Sequence, residues 1–162
     1  MATWIITGGN RGIGKEFIHQ LLSKNQTVIT GVRNPEQMDA KHELLSILKL
    51  DVSDSQSVTE FAQSVSQITE QVDVLVNNAS SFYATPLAQV SEGQWVDLMG
   101  SNAHAPLMLC KALSGRLRDS QGSIVNLTDM NINHGMAGFS VYTMAKAALQ
   151  AMTRSLAREL AP

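Results

Sequence analysis

Short β-branched runs alternate with longer segments of helical periodicity along the whole chain, and this alternation leaves few folds open. Trp4-Ile5-Ile6-Thr7 reads as a first strand and Gln26 to Gly31 as a second. A third lies within Leu44 to Leu50 and ends at Asp51; Val72 to Val76 and Ser123 to Leu127 read as the fourth and fifth. Between them, a helix from about Gly12 to Lys24 places Ile13, Phe17, Ile18 and Leu21 on one face. Asn34-Pro35 starts a short helix or turn, and Asp54 or Ser55 caps a helix in which Val58, Phe61, Ala62, Val65 and Ile68 recur at helical spacing. Trp95 to Leu117 reads as one long helix, with Pro106 near a helix start or a kink. Tyr142 to Leu160 is a last, strongly patterned helix. Strands separated by helices pair in parallel, and right-handed crossovers set helices on both sheet faces. The expected fold class is therefore α/β: a doubly wound, Rossmann-type parallel sheet.

At 162 residues the chain has the length of a single domain, 1–162. A net charge of −2 gives no electrostatic footprint for nucleic acid and no polybasic membrane patch. No apolar run reaches the roughly 18–20 residues that span a bilayer. Met1-Ala2-Thr3-Trp4 lacks the basic start of a secretion signal, so a cytoplasmic protein is expected. Cys110 is the only cysteine, and the scattered His19, His42, His104 and His134 form no ligand set, so no metal site is expected.

Thr7-Gly8-Gly9-Asn10-Arg11-Gly12-Ile13-Gly14 follows the first strand and opens the first helix. Gly8 suits the tight turn, while Gly12 and Gly14 let backbone approach a pyrophosphate and let the helix pack on the sheet. The helix N-terminus then offers free N–H groups to phosphate. A ligand-free tight turn would share this pattern. The second strand is followed by Val32-Arg33-Asn34, with no carboxylate to take a ribose 2′-hydroxyl. Arg33 and Arg11 could instead cradle a 2′-phosphate, which favours NADP(H), or stand as two solvated surface charges.

Tyr142 and Lys146 share one face of the last helix. A phenol with a pKa near 10 is a poor neutral-pH acid. An ammonium about 4 Å away would favour the phenolate by about 4 kcal/mol at an effective dielectric of about 20. The spacing taken alone is a weak signal; its position one loop beyond the fifth strand of a nucleotide-binding sheet is what makes it a candidate acid–base pair.

With these residues in order, the chain resembles the short-chain dehydrogenase/reductase family along essentially its whole length. Thr7-Gly8 through Gly14 looks like the family's cofactor turn, Asp51-Val52 like its adenine-contacting pair, and Asn77-Asn78-Ala79 like its fourth-strand motif. Asn102 falls where the family keeps a proton-relay asparagine, and Tyr142 and Lys146 match its catalytic pair. Asp129 stands where the family's catalytic serine usually lies, which is similar to pteridine and dihydromonapterin reductases. Asn78-Ala79-Ser80-Ser81-Phe82-Tyr83 and Tyr142-Thr143-Met144-Ala145-Lys146 are also similar to those enzymes. The resemblance implies that Phe82 stacks on a pterin ring, that Ser80 bonds near cofactor and pterin, and that Asp129 works with Tyr142 in proton delivery. Thr128 as the working hydroxyl, with Asp129 capping a turn, is the competing assignment. Gly12 departs from the arginine usual in pteridine reductases, and before Val74 the chain looks more like general carbonyl reductases.

The expected activity is NADPH-dependent hydride transfer to a C=N bond of a pterin-type small molecule. The alternatives are a generic carbonyl reductase using Tyr142, Lys146 and Asn102, and a non-catalytic nucleotide-binding fragment or interaction protein. Family members continue past the position of Ala161-Pro162 into further strands, so a chain truncated there, with an exposed sheet edge, is expected. Leu107, Met108 and Leu109, with Leu149, Met152, Leu156 and Leu160, exceed what one sheet face needs, and the resemblance implies that these helices form the interface of a homodimer or homotetramer.

Overall fold

The computed structural model describes residues 1–161. Its strands are β1 (Thr3–Thr7), β2 (Thr27–Val32), β3 (Leu45–Lys49), β4 (Val74–Asn77) and β5 (Ser123–Asn126). Its helices are α1 (Gly12–Ser23), α2 (Ser55–Ile68), α3 (Glu92–Met99), α4 (Ala105–Asp119) and α5 (Ser140–Glu159). The strands form one parallel sheet in the order β3-β2-β1-β4-β5. This is the Rossmann-type arrangement expected from the alternation of elements.

Because both faces are covered, the inner strands are buried almost continuously, as parallel strands are. Adjacent residues of β1 supply opposite cores. Ile5 joins Ile29, Phe61, Val65, Leu75, Leu109 and Leu113 on one face, with Met152 and Leu156 packed alongside, so α2, α4 and α5 cover that side. Ile6 joins Ile18, Leu21, Val28 and Val76 on the other, beneath α1. Each such large apolar side chain, fully buried, contributes about 1.5–3 kcal/mol.

Several expectations change in detail. Asp54, not Ser55, caps α2, its carboxylate accepting from the Gln56 N–H at 2.9 Å. Ile68 ends α2 and is 48% exposed, because the helix stops before its face returns to the sheet. The expected long helix is present and runs unbroken from Glu92 to Asp119, but it carries a π turn: α3 ends at Met99, the π turn spans Gly100–His104, and α4 continues from Ala105. Pro106 directly follows the π turn, where the wider winding accommodates a residue that has no N–H to give the preceding turn. Leu109 and Leu149 are buried within the chain itself, while Leu107 is 38% exposed. None of the described helices is long and apolar enough to cross a membrane.

Candidate active site

The sheet's order reverses at β1, whose neighbours are β2 on one side and β4 on the other. In open α/β sheets ligands sit at the carboxyl ends of strands at such a switch point. A cleft of about 560 Å³ lies there. Gly8, Asn10, Arg11, Gly12 and Ile13 form one wall, Val32, Arg33 and Val52 one end, and Asn78, Ala79 and Ser80 the β4 side. Ile13 thus lines the cleft, 62% exposed, instead of packing on the sheet with Phe17 and Ile18 as its place on the helix predicts.

The turn is braced by groups distant in sequence. The Thr7 hydroxyl accepts from the Asn78 and Ala79 backbone N–H groups at 3.0 and 2.9 Å. The Asn78 side-chain amide donates to the Thr7 and Gly8 carbonyls at 2.8 and 3.1 Å. Gly14 does not line the cleft. It is buried behind the turn, where a Cβ would run into the Gly8 carbonyl oxygen and approach the Asn78 amide to 2.6 Å. Gly12 has a φ of +55°, and the space a Cβ would fill there is open. No side chain caps α1, so its first N–H groups remain for an anion. A free helix start beside an open glycine cradle fits a dinucleotide phosphate.

Arg33 and Asp51, expected to bind different parts of the cofactor, face each other at 3.6 Å. Partial burial works against ionisation of Asp51. The hydrogen bonds from Ser53, then the charges of Arg33 and Lys49, outweigh it and hold the carboxyl below its ordinary range. Arg11 remains exposed on the cleft wall.

The second cluster lies between the loop after β5, the segment after β4 and the start of α5. The Tyr142 hydroxyl donates to Asp129 Oδ2 at 2.8 Å. Thr128 is exposed, and it is Asp129 that pairs with the phenol. Asp129 Oδ1 accepts from the Asn131 backbone N–H at 2.7 Å and its side-chain amide at 2.9 Å. The backbone bond from Asn131 is the largest influence holding the Asp129 carboxyl below its usual range; burial opposes it, and Tyr142, the Asn131 amide and the Lys146 charge assist.

The phenol is not made more acidic. Burial, then the hydrogen bond and negative charge of Asp129, push Tyr142 far above its ordinary pKa of 10, with only Ser80 pulling the other way. This corrects the expectation of a Lys146-activated phenolate. The Lys146 ammonium is turned to the Leu127 carbonyl, which accepts its proton at 2.8 Å, and lies 5.9 Å from the Tyr142 ring centre. Burial lowers the Lys146 pKa, and Asp129 opposes that. Asn102, in the π turn, accepts from the Ser80 hydroxyl at 2.6 Å and donates to the Ser81 and Leu98 carbonyls at 2.9 and 3.0 Å. Its amide ties the segment after β4 to the helix and makes no direct hydrogen bond to Tyr142 or Lys146.

Phe82 is 57% exposed, stacks on Phe139 with ring centres 4.9 Å apart, and meets the Tyr142 ring edge-on at 4.8 Å. Phe139 and Asn131 are absent from the sequence-level candidates. The Asp-x-Asn spacing of Asp129 and Asn131 is a local turn signal that could have found the second. Nothing local marks the first.

The cleft at the switch point, its open glycine turn and the buried Tyr–Lys pair beside it are those of a Rossmann-type α/β protein with room for a dinucleotide. The sequence profile of the short chain dehydrogenase family matches residues 2–162, and the chain belongs to that family of nicotinamide-dependent oxidoreductases. It is 34% identical to dihydromonapterin reductase of Enterobacter sp. (strain 638), over 98% of this chain and 68% of that one. It is 44% identical to pteridine reductase 1 of Leishmania tarentolae, over 55% and 38%. It is 31% identical to a 3-oxoacyl-[acyl-carrier-protein] reductase of Vibrio cholerae, over 97% and 66%. A short-chain dehydrogenase from Streptomyces avermitilis superposes with a TM-score of 0.93 at 31% identity, over 99% of this chain and 61% of that one. A metagenomic short-chain oxidoreductase in complex with NADP does so at 0.91 and 28%, over 98% and 75%. The chain spans 61% and 68% of the lengths of the Streptomyces and Enterobacter proteins.

Proposed function

We propose that the chain carries the cofactor-binding and acid–base half of an NADPH-dependent reductase acting on a C=N bond of a pterin-type substrate. The hydrogen bond from Tyr142 to the Asp129 carboxylate, beside the exposed Phe82 ring, is the observation that carries this reading. The free start of α1 would hold the pyrophosphate, and Arg33 and Arg11 would hold the 2′-phosphate. A nicotinamide bound there would supply hydride to the carbon of the C=N bond. Tyr142 passes its proton to the nitrogen as charge develops there. The Lys146 ammonium offsets the negative charge that the phenolate would share with Asp129, and solvent restores the proton. Asp129 Oδ2, released from the phenol, can accept from the amino edge of the pterin, while Phe82 offers a stacking face. Similarity to dihydromonapterin and pteridine reductases supports the substrate class, and the NADP-bound relative supports the cofactor.

A carbonyl reductase using Tyr142, Lys146 and Asn102 is the second reading, favoured by similarity to the 3-oxoacyl reductase along 97% of the chain. Oxidation of NADPH followed with dihydrobiopterin, dihydrofolate and a panel of ketones separates the two. Turnover of pterins, abolished in Asp129→Ser, is expected. Ketone reduction that survives Asp129→Ser supports the second reading, and tight NADPH binding without turnover of any compound rejects both.

A further inference from the structure

We infer that Asn131 is a positioning residue that aims the Asp129 carboxylate at Tyr142. The inference rests on the reading of Asp129 and Tyr142 as the proton-handling pair. A carboxylate has two oxygens and rotates about its last bond, so two equivalent orientations compete unless one oxygen is held. Here Asn131 holds it with two donors from one residue, backbone N–H at 2.7 Å and side-chain amide at 2.9 Å, both on Oδ1. Only Oδ2 is left for the phenol, which it meets at 2.8 Å. The device is local. Asp129 caps the short turn Met130–Ile132, so the backbone donor comes from the turn and the amide reaches back over it. Asn131 is half-buried outside the hydrophobic clusters, and its amide is therefore not needed to fill the core.

The groups facing Asp129 are few. Tyr142 and Lys146 approach from α5 and Asn131 from its own loop, and Lys146 is the one charge acting on it. Ser80, from the segment after β4, acts on the phenol side. Removing the amide leaves the backbone donor but frees the carboxylate to turn. Replacing it by a carboxylate sets a like charge against Asp129.

Asn131→Ala and Asn131→Asp test this in the whole chain. Carbon-13 NMR of aspartate- and tyrosine-labelled protein follows both groups, with Asp129→Asn and Tyr142→Phe assigning the signals; the chain has only two tyrosines. The Asp129 midpoint is expected to rise by about one pH unit in Asn131→Ala, the scale of one charge-assisted hydrogen bond, and further in Asn131→Asp. With NADPH and dihydrobiopterin, kcat is expected to fall about tenfold, a part of what a positioned general acid supplies, with KM little changed. An unmoved Asp129 midpoint in both variants, whatever their melting temperatures, makes Asn131 mere loop packing and overturns the inference. If no variant and not the parent turns over any pterin, the proposed function fails, and the titration alone still decides for or against Asn131.

Discussion

At the scale of single residues, charge and burial decide the protonation states on which the site depends. Tyr142 keeps its proton well past its ordinary pKa because its phenolate would be buried beside the Asp129 carboxylate. Tyr83 is pushed to about 12 by burial and by its hydrogen bond to Asp97. Both tyrosines therefore bind protons more tightly folded than unfolded. Their contribution to stability is whole below about pH 10, the unfolded value, and is lost as pH rises through the folded ones. An alkaline titration followed by phenolate absorbance should show neither tyrosine ionising near pH 10 in the native chain, and both doing so in denaturant. A native tyrosine titrating at 10 contradicts the Asp129 contact or the Asp97 contact. In the proposed function Arg33 carries the preference for NADPH over NADH. Its replacement by alanine should weaken NADPH about 10- to 100-fold, the worth of charge-assisted bonds to phosphate, and leave NADH within about threefold. Equal losses, measured by calorimetry, would place the 2′-phosphate elsewhere.

Turn and helix are coupled at the scale of the element. The glycine pattern of residues 8–14 is legible in the sequence, but its glycines do different work. Gly12 leaves an open cradle on the ligand side, whereas Gly14 lets α1 start against the Gly8 carbonyl and the Asn78 amide. Gly14→Ala is expected to cost about 1–3 kcal/mol in urea unfolding, as overpacking does. It should also weaken NADPH, since the same backbone forms the proposed phosphate cradle. Preserved stability would mean the turn can shift without loss. The π turn at Gly100–His104 and the position of Asn102 within it were not legible. A widened turn differs from a regular one by a single residue's hydrogen bonding, and apolar periodicity averages over that. The covered face of α2 was read well through Val65 and wrongly at Ile68, because where a helix leaves its sheet depends on the sheet.

Across the whole molecule, the proposed cofactor site is assembled from the turn after β1, the ends of β2 and β3 and the segment after β4, elements far apart in the chain. Ligand binding and folding are then linked, because the unfolded chain has no such site. NADPH at about 100 times its Kd should raise the melting temperature by roughly 5–10 °C. A thermal scan with and without NADPH that shows no shift removes the cofactor assignment.

Sequence alone determined the alternation of strands and helices, most of the helix positions that seek the core, the glycine turn that opens the first helix, and the sharing of one helix face by Tyr142 and Lys146. These follow from local spacing and backbone freedom, which a chain carries wherever it folds. Tertiary structure decided the rest: that Lys146 turns to Leu127, that Asp129 takes the phenol's proton donation, that Arg33 meets Asp51, and that Phe139 stacks on Phe82. Each is a contact between segments separate in the chain, and its geometry and effect on charge exist only once packing has placed both partners.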